Sequence, residues 1–258
     1  MNPIKYSEKD LPFKELETIG LASGGQVLLN ENDLKALLSG RRTGLLNLQN
    51  LEAENIKIKA LDAKISLQPD QQGRLSLLVH PIYRKPPTPD FLDDYEAKQL
   101  ERGEVPNLLK TTVDDKGNRK DILVEYDRDT REFIVSDTEK IIAPDMVNGE
   151  YLTAAQKENY KKGREVTLAD RTVMQYAAAD PNGIRSNRLA LIASILVDGG
   201  LSYMVYKGLN ALFNKERDQK EAETQSPGYK NALADMEDQS PVISNEHIRF
   251  DKKHLPKR

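Results

Sequence analysis

The amino-acid sequence predicts an α+β protein made of small repeated units, in which a short helix ends at a glycine and is followed by an antiparallel meander. Three observations predict this class. A capped-helix pattern occurs three times, apolar and polar residues alternate over short stretches between the copies, and turn-forming residues separate those stretches. Successive repeat glycines lie roughly sixty residues apart, a spacing typical of repeated supersecondary units.

The clearest copy of the helix pattern lies in residues 152–166. Thr153 suits the N-cap position, because its hydroxyl can accept a first-turn amide hydrogen, and Gln156 can complete a capping box. Gly163 then occupies the C′ position, where glycine adopts the left-handed conformation at least cost. Two earlier copies place these roles on Asn30, Asp33 and Gly40, and on Asp93, Glu96 and Gly103.

Strand periodicity follows each predicted helix, and a further short helix, Leu11–Gly20, precedes the first copy. Apolar residues alternate with polar ones from Ile56 to Leu67 and resume from Leu75 to Val79, after a turn rich in Pro, Asp and Gly. The remaining predicted strands are Leu109–Val113, Ile122–Tyr126, Glu132–Val135, Glu165–Leu168 and Thr172–Tyr176.

These units predict five regions along the chain. They are an N-terminal helical and β module at 1–82, a first α+β repeat unit at 83–145, a second at 146–187, an apolar helical segment at 188–214 and a disordered charged tail at 215–258. The tail is rich in Gln, Asp, Glu and Lys and contains few aromatic residues, a composition typical of disorder.

Composition limits the function classes. The formal net charge of −3 argues against a protein that chiefly grips a phosphate backbone, although a local basic patch would still bind nucleic acid weakly. The chain has no cysteine, which excludes disulfides and cysteine nucleophiles and fits a reducing compartment. Its first residues lack the apolar run of a secretory signal, so we expect a cytoplasmic protein.

Catalytic and metal-binding motifs are absent from the sequence. There is no phosphate-binding GxxxxGK[ST] loop, no dinucleotide-binding GxGxxG after a strand and no GxSxG nucleophile turn. The three histidines, His80, His247 and His254, lack the spacing of a zinc site. We therefore predict no enzymatic activity, no metal and no small-molecule cofactor.

Arg41 and Arg42 form the most concentrated basic pair in an ordered segment. Two guanidinium groups beside a glycine turn could hold a phosphate or a partner's carboxylate, because the planar fork binds such groups bidentately. The alternative is structural, since cations after a helix end complement the negative end of its dipole. We weigh the structural interpretation more heavily.

Residues 189–213 are the most apolar stretch, and they are interrupted by Asp198, Gly199 and Gly200. One helix here would be long enough to cross a bilayer. Asp198 and Lys207 oppose insertion, at about 2.5 to 3.5 kcal/mol each near the centre. Two hypotheses follow: a helical hairpin broken at Asp198–Gly200 and packed on protein, which we favour, or a membrane-associating or oligomerising helix.

Two stretches resemble known modules. LNENDLKALLSGRRTGLLNL resembles the N-terminal module, and VEYDRDTREFIVSDTEKIIAPDMVNGEYLTAAQKENYKKGREVTL the repeated module, of uncharacterised accessory proteins on conjugative and other mobile elements of gut anaerobic bacteria. Related modules are also appended to topoisomerase-type proteins. The resemblance implies an accessory role near nucleic acid or a transfer complex, and it supplies no catalytic residue.

These observations lead to two functional hypotheses and to a weaker third, a hydrolase with a carboxylate site for which no particular acid stands out. The first is a non-enzymatic binding or scaffolding accessory protein of a mobile-element or nucleic-acid-processing assembly, with a protein partner and with Arg41 and Arg42 as contact residues. The alternative is a membrane-associated or secretion-linked interaction protein, anchored through residues 189–213 at the cytoplasmic face of the inner membrane.

Overall fold

A computed structural model describes residues 5–53, 56–113, 117–188, 190–197, 200–207 and 226–239. Three times in succession, the chain forms a capped helix, a left-handed glycine and a three-stranded antiparallel sheet. The predicted α+β class and the repeated helix-glycine-meander order are therefore confirmed.

The first unit places a three-stranded sheet beneath two short helices. Side chains alternate along the central strand, so Ala63, Ile65 and Leu67 point into the core. Lys64 and Ser66 lie on the opposite side of the sheet, which we call the outer face. The elements are α1 (Phe13–Thr18), β1 (Ala22–Ser23), β2 (Gln26–Val27), α2 (Glu31–Leu38), β3 (Leu46–Ala53), β4 (Ile56–Pro69) and β5 (Leu75–Pro81), with a 3-10 turn at Glu8–Asp10.

The second unit buries both faces of its sheet. Its helix packs on the face that carries Ile122 and Val124, whereas Leu123 belongs to the core of the third unit. The elements are α3 (Asp94–Arg102), β6 (Leu108–Val113), β7 (Arg119–Asp127) and β8 (Glu132–Asp137), followed by a 3-10 turn at Thr138–Lys140.

The third unit begins with a small hairpin that the sequence analysis missed. Asn148 and Gly149 both have positive φ, at 49° and 81°, and Asn-Gly is a strong signal for a two-residue hairpin turn. The elements are β9 (Met146–Val147), β10 (Glu150–Tyr151), α4 (Ala154–Lys161), β11 (Val166–Thr167), β12 (Val173–Tyr176) and β13 (Ile184–Ser186).

The predicted helix caps are present in all three units. The Asn30 side chain accepts a hydrogen bond from the amide of Asp33, and full capping boxes form at Asp93 and Thr153. The repeat glycines have φ of 72° (Gly40), 68° (Gly103) and 66° (Gly163). The amide after each glycine bonds back to the last helical turn, which completes a Schellman motif.

The prediction of an apolar helix at 188–214 was wrong. Residues 190–197 and 200–207 form strands β14 (Ala190–Val197) and β15 (Gly200–Lys207), which pair along their whole length. β14 also pairs with β9, giving the sheet order β10-β9-β14-β15. Periodicity alone does not assign short apolar runs such as these to a helix or to a strand. Asp-Gly between two apolar runs is also a hairpin signal.

Part of the predicted disordered tail is folded. Helix α5 (Pro227–Gln239) lies within 215–258, so the prediction was wrong for these residues, and the rest of the tail lies outside the described residues. Tyr229 and Ala232 are buried against Ile192 of β14, and Ser226 accepts the amide of Tyr229 at 3.1 Å. Burial of this apolar side stabilises the helix.

Helices that could span a bilayer are not found in the part of the chain that the structure describes, since none combines sufficient length with sufficient apolar character.

Candidate functional site

The three units meet at the buried ammonium of Lys64. Its Nζ lies 2.9 Å from a carboxylate oxygen of Asp127 and 2.9 Å from one of Asp129, both of the second unit. It also donates to the carbonyl of Ala179 in the third unit at 3.1 Å. Lys64 is only 1% exposed, so the loss of these acceptors would leave a buried charge without compensation. We call Lys64, Asp127, Asp129 and Ala179 the lysine junction.

A second polar chain lies beside the lysine junction on the outer face. The register of β4 and β5 pairs Lys64 with His80 and Ser66 with Leu78, so Ser66 and His80 are diagonal neighbours. Ser66 Oγ lies 2.9 Å from His80 Nε2. His80 Nδ1 lies 3.3 Å from Glu132 Oε2. We call Ser66, His80 and Glu132 the serine cluster.

The second unit supplies the carboxylate of the serine cluster. Glu132 begins β8, and its Oε2 also accepts a hydrogen bond from Arg42 Nη1 at 2.5 Å. Burial alone would raise the pKa of the Glu132 carboxyl, but the hydrogen bonds from His80 and Arg42 outweigh burial and hold that pKa at about 2. Glu132 is therefore ionised at neutral pH.

Glu125 is a third buried ionisable group, and it joins the second unit to the third. Its carboxylate accepts a hydrogen bond from the amide of Ala178. Burial raises the pKa of the Glu125 carboxyl to about 7, although the Ala178 amide and the charge of Arg185 act in the opposite direction. Its second oxygen has no hydrogen-bond partner among the described residues.

Both predicted arginines make contacts within the chain. Arg41 Nε donates to the carbonyl of Pro181 at 2.9 Å, and its side chain lies against Gly183, where an added Cβ would come within 2.8 Å of it. Arg42 forms the ion pair with Glu132. The arginine pair thus joins the first unit to both others, and a contact with a partner's phosphate or carboxylate stays a prediction.

The structure describes only some of the residues that interrupt the apolar segment, which are Asp198, Gly199, Gly200 and Lys207. Asp198 and Gly199 lie outside the described residues, while Gly200 and Lys207 are the first and last residues of β15. Within the described ranges, no group of three or more His, Asp or Glu side chains is arranged to hold a metal ion.

Sequence patterns alone did not predict that these residues converge. Alternation places Lys64 and Ser66 on one face of a strand, and this signal was available. The contact of His80 with Glu132 and that of Lys64 with Asp127 depend on how separate units pack, and local periodicity does not encode that packing.

Comparison with known proteins finds a match to one family model. A family model described as a protein of unknown function, DUF4099, matches residues 6–89, which span the first unit and the segment after it. No curated protein and no solved structure matches the chain. The match covers the predicted N-terminal module and assigns no activity to it.

Proposed function

We propose that this chain is a cytoplasmic binding or scaffolding protein that docks a protein partner on the outer face of its first sheet, as an accessory to a mobile-element or nucleic-acid-processing assembly. The observation that carries the proposal is the part of the outer face that the second and third units leave exposed, which includes Ile58 and Leu78. An antiparallel sheet commonly packs one face on the core and leaves the other to solvent, where it is available for contacts.

The outer face mixes apolar and amide side chains. Ile58 is 37% exposed and Leu78 is 42% exposed. Asn47, Gln49 and Gln68 are exposed on the same side, as the strand register requires. Apolar contacts surrounded by hydrogen-bonding groups are typical of protein interfaces.

The contacts between units support a scaffolding role. The lysine junction and the Arg42–Glu132 ion pair fix the first sheet against the second unit, and Arg41 fixes it against the third. A surface held in one geometry loses less conformational freedom on binding than a mobile one.

A protein partner fits this surface better than a nucleic acid. The net charge of −3 provides no long-range attraction for phosphates, and the arginine pair is engaged inside the chain. Membership of a mobile-element assembly is supported by the resemblance of the repeated modules. A direct test is a mobility-shift assay with duplex DNA, in which this proposal expects no complex even at low salt.

Site-specific photo-crosslinking tests the partner surface. A photoreactive amino acid is placed at Ile58 or Leu78 of the full chain, and at Tyr95 on α3 as the control, in cells that naturally produce the protein. Tyr95 is 69% exposed and lies outside the outer face. We expect a discrete adduct with one protein from positions 58 and 78 only. Identical adducts from all three positions, or no adduct from the outer face, would contradict the proposal.

A further inference from the structure

The serine cluster has the geometry of a nucleophile, a base and a group that orients the base. Ser66 Oγ lies 2.9 Å from His80 Nε2, and Glu132 contacts the other ring nitrogen of His80. We propose that Ser66, His80 and Glu132 form a catalytic triad that accepts an acyl group from a small ester onto Ser66. This activity goes beyond the binding role and does not depend on it.

The protonation pattern of the cluster favours this chemistry. An ionised carboxylate only accepts hydrogen bonds, so Glu132, 3.3 Å from Nδ1 of His80, favours the tautomer with the hydrogen on Nδ1. In the neutral ring, Nε2 then has a free lone pair and accepts the hydroxyl hydrogen of Ser66. This is the tautomer that a general base requires. Arg42 donates to the same Glu132 oxygen, Oε2, that faces His80.

Ser66 is more accessible to solvent than the neighbouring polar group of Lys64. Ser66 is half-buried, whereas Lys64, two residues earlier, is enclosed by three acceptors. Leu78 lies directly opposite Ser66 on β5 and is exposed, so it offers an apolar surface beside the hydroxyl. A short apolar acyl chain would rest on Leu78 while its carbonyl carbon approached Ser66 Oγ. The substrate class is therefore a small aliphatic ester.

The reaction follows in two balanced steps. Ser66 Oγ bonds to the carbonyl carbon as its proton passes to His80 Nε2, and the ester C–O bond breaks so that the alcohol leaves with that proton. A water molecule then attacks the acylated Ser66 and gives a proton to His80, which returns it to Ser66 Oγ as the carboxylic acid departs. Glu132 is a positioning residue in both steps.

Two probes test Ser66 in the full chain. A fluorophosphonate forms a bond from Ser66 Oγ to phosphorus and expels fluoride, and p-nitrophenyl acetate transfers an acetyl group and releases p-nitrophenol. We expect peptide mass spectrometry to find both groups on Ser66. Ser66→Ala should react at least about 100-fold more slowly. Ser76→Ala is the matched control, because the Ser76 hydroxyl donates to the Gln68 carbonyl rather than to a histidine, and it should react like wild type.

Variants of Glu132 test the orienting role. Glu132→Gln offers an amide that can donate to Nδ1, which favours the wrong ring tautomer, so phosphonylation should slow by about tenfold or more. Glu132→Asp keeps a carboxylate and should recover part of the rate, a recovery that a purely structural role would not produce at equal folded fraction. The proposal is overturned if Ser66 remains unmodified by both probes, if Ser66→Ala reacts like wild type, or if urea-unfolded chain reacts as fast as folded chain.

Discussion

Lys64 and Ser66 lie on the same face of one strand, two residues apart, yet they have opposite surroundings. The turn between β7 and β8 and the Ala179 loop close over Lys64, and the Thr130 carbonyl in that turn also accepts the amide of Tyr83. Ser66, by contrast, is only half-buried and keeps access to solvent. Two positions on the same face of one strand can therefore have different roles. The position that the next unit covers holds the units together, and the position that it leaves accessible is available for surface chemistry.

The largest expected change in stability comes from removing the buried cation of Lys64. Lys64→Met would leave the Asp127 carboxylate buried without its cation, so the free energy of unfolding should fall by about 3–5 kcal/mol in urea titrations. Lys59→Met, at an exposed position of the same strand, should change it by less than about 0.5 kcal/mol. Equal losses in the two variants would contradict a structural role for the lysine junction.

Replacing Glu125 should change the free energy of unfolding by less, and the change should depend on pH. Its folded pKa is raised from 4.5 to about 7, so the stability it confers is complete below pH 4.5 and is lost as pH rises through 7. Glu125→Gln should therefore raise the free energy of unfolding by about 1–3 kcal/mol at pH 8 and leave it nearly unchanged at pH 4.5. A loss of equal size at both pH values would show that the effect does not depend on the charge of Glu125, and it would contradict this expectation.

Glu132 should show the opposite pH dependence. Its folded pKa is lowered to about 2, so its contribution is present above pH 4.5 and disappears as pH falls towards 2. Glu132→Gln should cost about 1 kcal/mol at pH 7, a value reduced for partial solvent screening, and nothing near pH 2. Chemical denaturation at both pH values measures this difference, and a loss that persists at pH 2 would mean that shape rather than charge matters at this position.

Local signals explain what the sequence predicted correctly. Caps such as Thr153 with Gln156, and glycines such as Gly163, act within a few residues, so the helices and their ends could be read directly. The meander strands followed from alternation and turn residues. Period-two alternation also predicts that Lys64 and Ser66 share the polar face of β4.

Two kinds of information were outside local sequence patterns. Periodicity alone does not assign the apolar stretch at 190–207 to a helix or to a strand. The pairing of β14 with β9, more than forty residues earlier, is a contact that local patterns do not contain. The serine cluster and the lysine junction unite residues 66 and 63 positions apart in sequence, Ser66 with Glu132 and Lys64 with Asp127. Such pairs form only when the separate units pack together.

The contrast between Lys64 and Ser66 is tested most directly by measuring stability and phosphonylation on one preparation of Ser66→Ala. The hydroxyl makes one hydrogen bond at a half-buried position, so the free energy of unfolding should fall by less than about 1 kcal/mol. Fluorophosphonate labelling of the full chain should drop at least about 100-fold. A variant that loses several kcal/mol while total labelling stays at the wild-type rate would assign Ser66 to inter-unit packing and contradict the account.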